Sequence, residues 1–281
     1  MLSFTAETAD PVRICDALMD GDGAVRVTGL FTPDQIAEAR SIIMAESDAD
    51  DSKVTHFQGE AMRDGTVNLQ RRVWNLLAKG AVFSEFAAHP VIMNVLHRWL
   101  GSEFIMGSIA ANRLLPGGPG QEPHVDYPYW DFHAPETHPM GLNASFPMNA
   151  QVTIALDPFT EESGATAYLP GTQKHLRYPT EGEQQEFYSK SERMLGDPGD
   201  TVIFFGAAWH CAMPNRADHD RNAVLINYLP KWVKPLEDMP GAMPPGFIET
   251  ASPEIKQLLG LNYPYPQVLD AAAASNAAGR K

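Results

Sequence analysis

From about residue 103 the chain becomes a series of short segments dense in Val, Ile, Phe, Tyr and Thr: "EFIMGSIAANRLL", "MNAQVTIALD", "ATAYLP", "DTVIFF" and "NAVLINYLP". Clusters of Gly, Pro, Asp and Asn separate them: "PGGPG", "EESG", "PGT", "GDPGD" and "RADHDR". β-Branched and aromatic side chains suit a pleated, half-buried surface, and the intervening residues favour turns. Many short strands punctuated this way fold as a sandwich or barrel. The alternation of strands and helices that a doubly wound parallel sheet requires is missing. The expected class is therefore mainly β with supporting helices.

The preceding part reads as helical with one strand. "PVRICDALMDGDG" is a helix ending in a glycine turn, and "AVRVTGL" alternates like a strand. "FTPDQIAEARSIIMAE" opens a helix, with Thr32 as cap, Pro33 at the first helical position and Gln35 completing a capping box. "SDADDSK" is polar and acidic and is expected as a loop. "AHPVIMNVLHRWLG" is a helix closed by Gly101. A length of 281 residues fits one domain. We expect helical support over about 1–102, a core over about 103–235 and an extension over about 236–281. The end, "DAAAASNAAGRK", has little to bury and is expected to fray.

Charge and cysteine use narrow the function. The formal net charge is −14 with a pI near 5.0. That balance disfavours a nucleic-acid partner and adsorption to anionic membranes. Cys15 and Cys211 make no disulfide framework, so a reducing compartment is expected. "MLSFTAETADPVR" lacks a basic, apolar leader, and the most apolar window, "TVIFFGAAWHCAM", is shorter than a membrane span. The expected setting is cytoplasmic and the expected partner a small molecule. Nothing in the sequence sets an oligomeric state.

The segment "QEPHVDYPYWD" carries the chemistry. In an extended segment residues two apart face the same side, so His124 and Asp126 can bind one metal together. His210, after the apolar run in "TVIFFGAAWHCAMPN", is the best third ligand. Two histidines and a carboxylate on one face leave open positions on an octahedral iron. Cys211, the next residue, should point to the core. Arg221 opens "NAVLINYLP", and an arginine entering a barrel is costly unless it meets an anion. Its planar fork suits a carboxylate, as in 2-oxoglutarate, with an ion pair to Asp218 or Asp220 as the alternative. His133 and His138 lie in a Pro-rich loop, and the other histidines have no partner pattern.

These segments, in this order, resemble the phytanoyl-CoA dioxygenase family of iron(II)/2-oxoglutarate oxygenases. "GLFTPDQIAEAR", "ANRLLPGGPGQEPHVD", "LDPFTEESGATAYLPGTQKH" and "GDPGDTVIFFGAAWHCAMPNRADHDRNAVLINYL" carry the resemblance over most of residues 24 to 230. It implies a double-stranded β-helix (jelly-roll) core, with His124, Asp126 and His210 as ligands of Fe(II). It also implies that Arg221 holds the far carboxylate of 2-oxoglutarate, and that Asn112 and Thr153 make further co-substrate contacts. Gln151 is near them on the same strand face. Gln173 stands where the family usually has histidine, a loop variation away from the metal. "DYPYWDFHAPETHPMG" resembles the matching segment of the ectoine hydroxylase branch, where an aromatic at the position of Trp130 lines the substrate pocket. Tyr127, Tyr129 and Trp130 are the first candidates for substrate contact, in a site suited to an apolar or cationic molecule. Arg113, Arg72 and Trp74 follow.

The implied reaction consumes 2-oxoglutarate and O2, releases succinate and CO2, and hydroxylates an unactivated C–H bond of a small metabolite or biosynthetic intermediate. Asp126 occupies the position that related halogenases leave open for chloride, which favours hydroxylation. Desaturation, epoxidation or cyclisation would use the same site. A cupin-like metal isomerase or hydrolase that ignores 2-oxoglutarate, and a non-catalytic scaffold, are the rival readings. Neither needs the triad and Arg221 together.

Overall fold

The computed structural model describes residues 1–49, 63–64, 67–132 and 146–263. Its strands in chain order are β1 (Leu2–Thr5), β2 (Ala24–Thr28), β3 (Arg63–Asp64), β4 (Val67–Asn68), β5 (Gln70–Val73) and β6 (Phe104–Leu114). They continue as β7 (Ala150–Ala155), β8 (Ala167–Tyr168), β9 (Glu192–Arg193), β10 (Thr201–Phe204), β11 (His210–Cys211) and β12 (Arg221–Pro230). The helices are α1 (Pro11–Met19), α2 (Pro33–Ala49), α3 (Ala81–Ala87), α4 (Pro90–Trp99), α5 (Glu181–Lys190), α6 (Met239–Ala242), α7 (Phe247–Thr250) and α8 (Pro253–Leu258).

A seven-stranded sheet runs in the order β1-β2-β10-β7-β12-β6-β5. A smaller sheet, β11-β8-β9, is extended beyond β11 by a bridge between His124 and His210. These strands make the jelly-roll core. The expected strands of the second half all form. The central strands β6 and β12 are buried along nearly their whole length, which is why their sequences are almost continuously apolar.

The supporting helices begin where the capping chemistry places them. Asp10 accepts from the Val12 N–H, and Pro11 starts α1. Thr32 and Gln35 make the reciprocal box at the head of α2. α4 ends before Gly101, whose φ of 86° only glycine adopts at no steric cost. The buried faces of α1 and α4 cover the outer side of the large sheet with Ile14, Leu18, Ile92 and Leu96.

Two expectations need correction. The first hundred residues hold more than one strand. β1 pairs in parallel with β2, and β5 forms an edge against β6. The acidic segment expected as a loop belongs to α2 as far as Ala49, because Asp48 is tied to Arg71 and Arg113 at 2.7 and 2.6 Å. Its remainder lies outside the described residues. Part of the extension after residue 235 packs: α8 buries Ile255 and Leu258, and Gln257 Nε2 donates to the Phe104 carbonyl at 3.3 Å. The terminal alanine-rich stretch lies outside the described residues. Gln173 is buried, and its Nε2 donates to the carbonyls of Met19 and Gly21 at 3.2 and 3.0 Å. It pins the α1–β2 turn and does not line the central cavity. No helix among the described residues is long and apolar enough to cross a membrane.

Candidate active site

A cavity of about 560 Å³ opens between the two sheets. Alternation along the strands decides which side chains reach it. From β6 these are Ser108, Ala110 and Asn112; from β12, Arg221, Ala223, Leu225 and Asn227; from β7, Gln151 and Thr153. The smaller sheet and the segment leading to Tyr127 form the facing wall, with His124, Asp126 and His210.

The triad is assembled by backbone pairing. His124 and His210 exchange both N–H···O bonds, at 3.0 and 3.1 Å, and the Asp126 N–H donates to the Gly206 carbonyl at 2.7 Å. Each imidazole is then oriented by its own Nδ1. That of His124 lies 2.8 Å from the Glu122 carbonyl, and that of His210 lies 2.8 Å from the Ala208 carbonyl. A carbonyl only accepts, so each Nδ1 carries a proton, and each Nε2 faces inward as the atom a metal would take. The two Nε2 atoms face Asp126, at 3.9 Å from Oδ1 for His124 and 3.1 Å from Oδ2 for His210. One ligand atom from each residue falls within 4.8 Å of the others. Histidine ligands oriented by a second hydrogen bond are the usual state of metal-binding imidazoles, so the donor set fits a metal ion.

Electrostatics follow this packing. Burial, then the neighbouring His210, holds His124 down to about 4. Burial also pulls on His210, but the Asp126 charge and hydrogen bond outweigh it and raise its pKa. Burial would raise Asp126, and His210, His124 and Arg72 together lower it instead. The carboxylate therefore stays ionised and ready to ligate.

Arg221 is 2% exposed. Its Nη1 donates to the Gly164 carbonyl, and its guanidinium lies 4.9 Å from the centre of the Phe159 ring. Among the described residues its Nε has no hydrogen-bond partner. The alternative ion pairs do not form: Asp220 binds Arg113 at 2.7 Å and Asp218 binds His219 at 3.1 Å. Burial, then the like charge of Arg72, lowers Arg221 to about 10. Gly164 is needed here, since a Cβ would meet the Met213 carbonyl at 2.3 Å.

Asn112, Thr153 and Gln151 all reach the cavity, as do Arg72, Trp74, Tyr127 and Trp130. Two candidates do not. Tyr129 is fully buried and packs on Phe205 in the core, with its hydroxyl accepting from the Met148 N–H at 2.7 Å. Arg113 points to the opposite face of β6 from Asn112 and is held by Asp48 and Asp220. Cys211 is buried in the core as expected. His133 and His138, with the latter part of the aromatic segment, lie outside the described residues. Sequence reasoning missed Phe159 and Leu236, which also line the cavity. Neither carries a sequence signal, because one comes from a turn and the other from the chain after β12.

Comparison with known proteins places this architecture. The family model for phytanoyl-CoA dioxygenase matches residues 19–223. The dioxygenase af480 of Aspergillus fumigatus is 26% identical over 68% of this chain, which spans 59% of that protein. The dioxygenase trt7 of Aspergillus terreus is 25% identical over 90% of this chain and 85% of its own length. Among solved structures, the non-heme alpha-ketoglutarate-dependent epimerase SnoN from nogalamycin biosynthesis superposes with a TM-score of 0.56. At 18% identity over 79% of this chain and 81% of that one, it supports the fold. With the family model covering most of its length, the chain belongs to the phytanoyl-CoA dioxygenase family of iron(II)- and 2-oxoglutarate-dependent oxygenases.

Proposed function

We propose that His124, Asp126 and His210 hold one Fe(II), that Arg221 holds the far carboxylate of 2-oxoglutarate, and that the enzyme hydroxylates an unactivated C–H bond of a small molecule. The observation that carries this reading is the convergence of two Nε2 atoms and one carboxylate within 4.8 Å of one another, with both Nδ1 protons committed to carbonyls. When bound, an iron held on one face by these ligands supplies adjacent open positions for the diacid and O2.

The remaining residues prepare the site for a dianion. Arg221 is buried without a carboxylate partner among the described residues, and Arg72 shares the cavity with it. Two cations in a low-dielectric space repel, as the lowering of Arg221 by Arg72 records. A dicarboxylate relieves both. Arg221 takes the distal carboxylate through its fork. Arg72, within electrostatic reach of Asp126, takes the one nearer the metal. Asn112, Thr153 and Gln151 line the adjoining wall, where amide N–H groups and a hydroxyl are donors that a carboxylate can use.

A cupin-like metal enzyme that ignores 2-oxoglutarate would leave Arg221 buried and uncompensated, so we prefer the oxygenase. Desaturation, epoxidation and cyclisation start from the same removal of hydrogen, and substrate placement decides among them. The test is succinate formation from 2-oxoglutarate with Fe(II) and O2. Wild type should form succinate, and Asp126→Ala should lose at least about 100-fold of that rate, as expected when a ligand is removed. Full turnover by Asp126→Ala would refute the ligand assignment.

A further inference from the structure

The cavity is longer than a five-carbon diacid requires. Arg221 and Asn227 stand at opposite ends of the inner face of β12, roughly 20 Å apart at ~3.3 Å per strand residue. Strand register orders the lining groups between them. Arg221 pairs with Leu114, while Arg72 and Ala223 both pair with Asn112. Trp74 follows Val73, which pairs with Ala111, and Asn227 pairs with both Ser108 and Gln151. Both arginines therefore sit toward one end. On the facing wall the chain runs the same way, so Glu122 precedes the triad and Tyr127 follows it.

Beyond the triad the lining carries no charged side chain among the described residues. Its walls are Trp74, Tyr127, Trp130 and Leu236, and its floor is Ser108, Gln151 and Asn227. The walls are fixed in place. The Tyr127 hydroxyl donates to the Lys234 carbonyl at 2.6 Å, and its ring lies 5.4 Å from that of Trp130. The Leu236 N–H donates to the Gly107 carbonyl at 2.9 Å. Glu237, the next residue, accepts from the Asn75 N–H at 2.7 Å, which ties the Trp74 side of the mouth to the Leu236 side.

We propose that this compartment is the primary-substrate subsite, and that it takes an uncharged molecule with a flat, mostly apolar ring system and a hydroxyl or amide for the polar floor. The assignment rests on the iron and 2-oxoglutarate reading and extends it. Aromatic walls offer stacking and edge contacts to a ring. A cationic substrate would find no free carboxylate at this end among the described residues, since Asp126 is committed to the metal in this reading. An anionic one would find no pairing group at this end, and an unpaired charge in a dry site is costly.

The test uses the full chain loaded anaerobically with Fe(II) and 2-oxoglutarate. The weak visible absorption band of that complex is recorded first. 2-Naphthol, 2-naphthoate, 2-naphthyltrimethylammonium and decanoyl-CoA are then titrated by calorimetry. 2-Naphthol should bind at least about tenfold more tightly than each of the other three. Trp130→Ala should weaken it about tenfold while the band still forms. Leu236→Asp, at an exposed rim position, should do the same by placing a charge at the mouth and guards against a folding failure in the first variant. Equal or tighter binding of a charged analogue or of the thioester overturns the assignment. So does unchanged 2-naphthol affinity in both variants. Absence of the band in wild type is a different failure: it refutes the iron and 2-oxoglutarate reading, and this assignment falls with it.

Discussion

At the scale of single residues, spacing and phase decide what each side chain does. The convergence of His124 and Asp126 is legible because residues two apart in extended backbone share a face. Asn112 and Arg113 show the limit of that rule. They are neighbours on β6, so only one can reach the cavity, but every residue of β6 is buried and no hydrophobic alternation reveals which. Tyr129 failed as a substrate candidate for a related reason. It lies in a short 3₁₀ turn, Tyr129–Phe132, that aims it at the core, and a run of aromatics does not report backbone phase. Arg221 makes the sharpest single-residue prediction. Arg221→Leu should raise the KM for 2-oxoglutarate on the order of 100-fold, since truncating one partner of a buried charge pair costs ~2–5 kcal/mol. Fe(II) affinity should stay within about threefold of wild type, because the side chain touches no triad atom. Steady-state kinetics and metal titration check both. A KM left unchanged would return Arg221 to a purely structural role.

At the scale of elements, the second-half strands and the helix caps were written in local sequence, but the edge strands were not. β5 spans Gln70–Val73 and contains two adjacent arginines, so it lacks the apolar pattern that identifies a strand. It forms because β6 offers an open edge and because Asp48 of α2 holds Arg71 on the outer face. That pairing is non-local, and it delivers Arg72 to the cavity. Gln173 has a similar long-range role, since its amide joins the turn before α5 to the turn after α1. Gln173→Leu should lower stability by about 1–3 kcal/mol by removing two part-buried hydrogen bonds. Urea denaturation measures this, and the iron-dependent band should survive.

The segment after β12 carries its own pH signature. Burial pushes the Glu237 carboxyl up to about 7, against the pull of N–H donors from Ile109 and Asn75. A carboxyl raised in the folded state binds its proton there while the unfolded chain has released it. Its contribution is therefore fully present below the ordinary value of 4.5 and is lost as pH rises through about 7. The stability advantage of wild type over Glu237→Gln should be greater at about pH 5 than at about pH 8, by on the order of 2 kcal/mol. A difference that stays constant with pH would contradict this.

At the scale of the whole molecule, the proposed function gives the large sheet the co-substrate end and the small sheet the metal end. A bridge between His124 and His210 brings the two histidines together across a long stretch of sequence. The ordered motifs made the family and the triad readable. The cavity's length, its uncharged far compartment and the placing of Arg72 depend on register and could be read only from the fold. The central proposal is that the triad holds Fe(II) and that 2-oxoglutarate then binds against Arg221. Anaerobic titration of the Fe(II)-loaded chain with 2-oxoglutarate tests that claim most directly. We expect a weak visible absorption band that saturates at one equivalent of 2-oxoglutarate per chain, needs roughly 100-fold more in Arg221→Leu, and does not form in Asp126→Ala. A wild-type chain that binds Fe(II) without developing the band, or a band of full strength in Asp126→Ala, would contradict it.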